Sequence, residues 1–81
     1  MGMLRVLSRR GDDRFKWNPT AVEVGDPEAV AAIKEAERIF EEQRARGATA
    51  VRVRPGQPAE RIQQFDPNAE EIIMIPRVVG G

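Results

Sequence analysis

The side chains that most often carry chemistry are missing from this sequence of 81 residues, which has no Cys, no His and no Tyr. Without Cys there is no thiolate nucleophile, no disulfide framework and no cysteine-based zinc site. Without His, the one side chain that titrates near neutrality unaided is absent, and so is the commonest metal ligand. Carboxylates and lysines remain as possible acids and bases. A domain of this size buries only roughly 60% of the surface its unfolded chain exposes, which leaves little volume for a deep cleft beside the core. The expectation is a non-enzyme with no metal and no bound cofactor. One group stands out instead. The chain closes on "EIIMIPRVVGG", and the carboxylate of Gly81, preceded by Gly80, is a handle that another protein could energise. Glycine passes where any side chain would clash and adopts any φ, so such an end suits a narrow channel. Pro76, with its locked φ, would set the direction in which the tail leaves.

Composition narrows the partners. Thirteen basic residues balance thirteen acidic ones, so nothing points to nucleic acid or an anionic membrane surface. Apolar runs are too short to span a bilayer. No stretch has the make-up of a signal peptide, and the cytoplasm is the expected compartment.

The elements that must position the tail can be read from periodicity. Met3 to Arg9 is a plausible strand, with Leu4 and Val6 on one side and Met3, Arg5 and Leu7 on the other. Met1 and Gly2 ahead of it carry no readable signal. Arg10-Gly11-Asp12-Asp13 has turn chemistry, and Arg14 to Trp17 alternates so that Phe15 and Trp17 point the same way, predicting a β-hairpin. Phe15 and Trp17 are expected to close a small core. Asn18-Pro19 ends the strand, and Ala21 to Val24 reads as a strand extension or a loop. Asp26-Pro27-Glu28 then starts a helix: Asp26 caps, Pro27 suits the first position and Glu28 complements the dipole. Ala29, Ile33, Ala36 and Phe40 form one stripe of it, and the opposite side is charged until Arg46-Gly47 ends it.

Ala48 to Arg54 returns to period two, with Val51 and Val53 expected inward and Arg52 and Arg54 outward. Ala59 to Phe65 reads as a helical turn or a short strand. Glu71 to Ile75 is apolar on both faces, the mark of a central strand. The order is strand, strand, long helix, strand, short piece, central strand. That predicts an α+β fold, one helix packed on a four- or five-stranded mixed sheet, and it is the order of a β-grasp. A ferredoxin-like or plain α+β sandwich would share the pattern. The whole chain reads as one domain, 1–81, with 76–81 as an extended tail.

The ending resembles that of the ubiquitin-like sulfur carriers, the small subunit of molybdopterin synthase and the thiamine-pathway carrier. Glu71, Ile72 to Ile75, Pro76, Val78, Val79, Gly80 and Gly81 follow that family's order. The likeness covers about the last fifteen residues. Arg77 stands where the family usually has a second proline, and the loop Asn68-Ala69-Glu70 lacks its usual Gly-Asp. The resemblance implies a carrier or modifier that is activated at Gly81. A separate adenylating enzyme would use ATP, and sulfur transfer or attack by a partner's Cys or Lys would follow. Gly80 and Gly81 would be the reactive end, with Pro76, Arg77, Val78 and Val79 positioning it. The open sheet face near Val51, Val53, Ile73 and Ile75, with Arg52 and Arg54 around it, would dock the activating enzyme. A basic stripe of Arg52, Arg54 and Arg77 is conceivable, although a solvated face is the plainer expectation. The whole-chain pattern is also similar to short proteins of bacteria and their phages. The rival expectation is therefore a small assembly protein whose apolar tail or sheet edge binds neighbouring subunits.

Overall fold

The computed structural model describes residues 1–77, and its strands form one mixed sheet in the order β2-β1-β5-β3-β4. These are β1 (Gly2–Ser8), β2 (Gly11–Trp17), β3 (Thr49–Val53), β4 (Glu60–Ile62) and β5 (Glu71–Ile75), with helices α1 (Pro19–Glu23) and α2 (Pro27–Ala45) between β2 and β3. β1 is antiparallel to β2 and parallel to β5, while β3 is antiparallel to both β5 and β4. The strand with two apolar faces lies in the middle, as its composition predicts: Ile72 and Met74 are fully buried on one side and Ile73 is half-buried on the other.

Helix α2 starts and stops where its sequence directs. Asp26 accepts a hydrogen bond from the Glu28 amide, Pro27 takes the first position, and Gly47 follows the end with a left-handed φ of 91°. Its buried side chains, Ala29, Ala36, Ile39 and Phe40, cover one face of the sheet. Phe65 joins the two large aromatics of that layer, with ring centroids 5.2 Å from Trp17 and 5.7 Å from Phe40. The Trp17 indole nitrogen donates to the Pro67 carbonyl at 2.9 Å, so the hairpin and the loop before β5 share one buried side chain.

Four local details differ from the periodicity reading. The hairpin turn is tighter, because Ser8 already pairs with Gly11; only Arg9 and Arg10 turn, and Asp12 and Asp13 belong to β2. Residues 21 to 24 are neither strand nor plain loop. Asn18 accepts from the Thr20 and Ala21 amides and Pro19 takes the first position, so most of them lie in the short helix α1. Of the two readings left open for Ala59 to Phe65, the strand holds, as β4. Finally, β3 faces the other way. Ala50 sits beside Met74 and Ile62 under the helix layer, which puts Val51 and Val53 on the opposite face. Ala50 belongs to the same buried cluster as Phe40, and the other residue on its side of β3, Arg52, is held by Asp66 and Glu60.

Candidate functional site

Two regions bear on the predicted chemistry: the root of the tail and the sheet face away from α2. At the root, β5 ends on Ile75, 41% exposed, and Pro76 and Arg77 follow in the open beyond the last rung. A Cβ placed on Gly47 would stand 3.1 Å from Arg77 Cδ, so the arginine stem lies across the residue that terminates α2. A cation there suits the negative end of the helix dipole. Arg77 thus lays its side chain on the helix end. Val78, Val79, Gly80 and Gly81 lie outside the described residues.

On the sheet, register places Val51 opposite Ile73, Ile75 opposite Thr49 and Val53 opposite Glu71. Val51, Val53, Ile73 and Ile75 therefore share the face that α2 leaves open. Met3 and Leu7 of β1 join them by strand parity. The β1–β2 side of the same face is ionic. Arg5 Nε donates to Asp12 at 2.8 Å and its Nη1 to Glu71 at 3.1 Å, while Arg14 Nε donates to Asp12 at 3.0 Å. The face is apolar toward β3 and ion-paired toward β2.

Arg52 does not belong to that surface. It lies on the helix side of β3, where Nη1 donates to Asp66 at 2.7 Å and Nη2 to Glu60 at 2.6 Å. Its charge is spent holding β3 to β4 and to the loop before β5. Arg54 follows the end of β3 in the open, so Arg52, Arg54 and Arg77 do not form one stripe. The cause is twofold: β3 turns Arg52 to the helix side, and its antiparallel pairing with β5 carries Arg54 to the Glu71 end of the sheet, away from Arg77.

The root of the tail has a feature that local sequence does not announce. A groove of about 860 Å³ runs between the end of β1, the end of α2 and the exit of β5. Val6, Leu7 and Ile75 supply its apolar lining, and Arg9, Arg46 and Arg77 supply its charge, with Asp13 as the single carboxylate. These arginines are scattered along the chain, and only the topology collects them. Among the described residues, no group of acidic side chains is placed to hold a metal ion, and no helix is long and apolar enough to cross a membrane.

Ion pairing makes acid the weak side of stability. Hydrogen bonds from Arg5 and then Arg14 hold the Asp12 carboxyl below the usual range, and Arg38 and Arg52 do the same for Glu35 and Glu60. Burial works to raise Asp66, but hydrogen bonds from Arg52 and the Asn68 amide prevail and lower it. Each depressed carboxyl contributes stability that is present above its unfolded value of about 4 and lost as pH falls through the folded value. With no His in the chain, the thermal midpoint should be level from about pH 5 to about pH 7 and fall below about pH 4. A calorimetric series across that range checks this; a midpoint that rises on acidification would contradict it.

No family model, no curated protein and no solved structure matches the chain.

Proposed function

We propose that the chain is a β-grasp carrier or modifier whose Gly81 carboxylate is activated by a separate ATP-dependent adenylating enzyme. The observation that carries the reading is the place of β5. It lies between β1 and β3 as the central strand, parallel to β1, and it ends where Pro76 and Arg77 leave the sheet in the open. A tail launched from a central strand starts from the most rigid part of the sheet, so its direction is defined even though glycine imposes none.

In this reading the Gly81 carboxylate attacks the α-phosphorus of ATP, pyrophosphate leaves and an acyl adenylate forms. A sulfur nucleophile such as hydrosulfide then displaces AMP and leaves a thiocarboxylate; alternatively, a partner's Cys or Lys attacks. Beyond the Gly81 carboxylate itself, the chain supplies neither base nor nucleophile to these steps. Its part is to be bound and to present the end. Val51, Val53, Ile73 and Ile75 on the uncovered face form the surface on which the activating enzyme would dock.

Intact mass after incubation with ATP, an activating enzyme and sodium sulfide tests this. The expected gain is about 16 Da, oxygen replaced by sulfur, and deletion of Gly81 should abolish it. An unchanged mass across candidate activating enzymes would end the carrier reading. A second reading, a small assembly protein, is supported by the seven-residue edge strand β2, which among the described residues has no neighbour on its outer side. It predicts tight binding to a neighbouring subunit and no mass gain under any condition.

A further inference from the structure

The balanced net charge conceals a sorting of charge along the molecule. Thr49 pairs with Ile75, and Val6 runs beside Met74, so the end of α2, the hairpin turn and the tail root all gather at one pole. That pole carries Arg9, Arg10, Arg44, Arg46 and Arg77. The opposite pole holds the start of α2, the ends of β2 and β3 and the approach to β5, where Glu23, Asp26, Glu28 and Glu70 outnumber Lys16 and Arg54. Arg46 is drawn to Glu42 at 3.1 Å, but Arg9 and Arg10 form no ion pair among the described residues. The groove at the tail root opens at this cationic pole.

We propose that this pole docks an acidic segment of a partner protein, seating an apolar side chain on Val6, Leu7 and Ile75 and carboxylates on Arg9, Arg46 and Arg77. The guanidinium fork matches a carboxylate in two parallel hydrogen bonds. A nucleic acid fits less well. No aromatic side chain lines the groove to offer a base a stacking surface. A bilayer would meet a recess between strand ends rather than a protruding apolar face. The proposal goes beyond activation of the tail and holds whether or not Gly81 is ever adenylated.

The test is an amide NMR titration of the full chain with an acetylated peptide of glutamates around a central leucine. Shifts are expected at Leu7, Arg9, Arg46 and Ile75. Affinity should fall about tenfold in the Arg9→Glu, Arg77→Glu double variant, and also when the peptide's leucine becomes serine. If the double variant folds poorly, Arg9→Glu alone serves, because Arg9 is exposed in the hairpin turn. Absence of shifts, shifts confined to the opposite pole, or equal binding by a DNA duplex or phosphatidylglycerol vesicles would overturn the proposal. The mass assay at Gly81 reads a different event, so either result can fail without the other.

Discussion

Trp17→Ala should cost about 3–5 kcal/mol of folding stability, the range for deleting a large buried aromatic. The residue is 1% exposed, packs on Phe65, and donates its indole N–H to the Pro67 carbonyl, which the variant would leave without its partner. A domain of this length has a total stability of roughly 4–12 kcal/mol, so the substitution removes a large share of it. Urea unfolding followed by far-ultraviolet circular dichroism should show the midpoint collapse. A midpoint near that of the unsubstituted protein would mean that the indole is not part of the core. The effect should reach beyond the hairpin, because Trp17 also tethers the loop that feeds β5.

The second large effect is expected at Gly2, a position that looks dispensable. Gly2 is buried and pairs with Trp17 on the first rung of the hairpin. A Cβ at this residue would overlap the Trp17 indole. Gly2→Val must therefore either push the indole from its pocket or peel the start of β1 from the sheet. Overpacking typically costs about 1–3 kcal/mol, and a displaced tryptophan brings the loss to the upper end. Since Trp17 is the only tryptophan, its fluorescence reports the event directly: emission should shift to the red as the ring meets water. A double-mutant cycle sharpens the test. In a Trp17→Ala background the valine has room, so its cost should shrink markedly. Simple additivity would show that the two residues do not oppose each other.

These two positions also mark how far sequence reasoning reaches. Helix α2 was legible from both ends inward, because Asp26-Pro27-Glu28 and Arg46-Gly47 carry local capping signals and the apolar stripe repeats at the helical period. The central place of β5 was legible because Ile72 to Ile75 leaves no polar face for solvent. Gly2 was not, because the need for a missing side chain comes from an indole fifteen positions away. The start of α1 carried the same Asx-Pro signal as α2, but in Asn18-Pro19 it read only as the end of a strand. β3 misled for a different reason. Val51 and Val53 are the more apolar alternates, yet the helix side of β3 carries Ala50 in the core and Arg52 paired with Asp66 and Glu60, partners distant in sequence that periodicity does not show. At the candidate site, Val51 and Val53 were expected under the helix and stand instead on the open face with Ile73 and Ile75. The cationic groove could not be placed in advance, since Arg9, Arg46 and Arg77 meet only after the sheet has formed.

That β1 and β5 lie side by side in parallel has a consequence for the chain as it is made. Leu4 comes to rest beside Ile72, so the first strand waits for almost the whole described chain before its inner neighbour exists. Until then the hairpin and β3 have a vacancy between them, because β5 is the strand that joins β1 to β3. Such a pairing closes a long loop and tends to slow folding. Translation that stalled before β5 would therefore yield no smaller stable version of the fold, only two halves with their apolar sides uncovered.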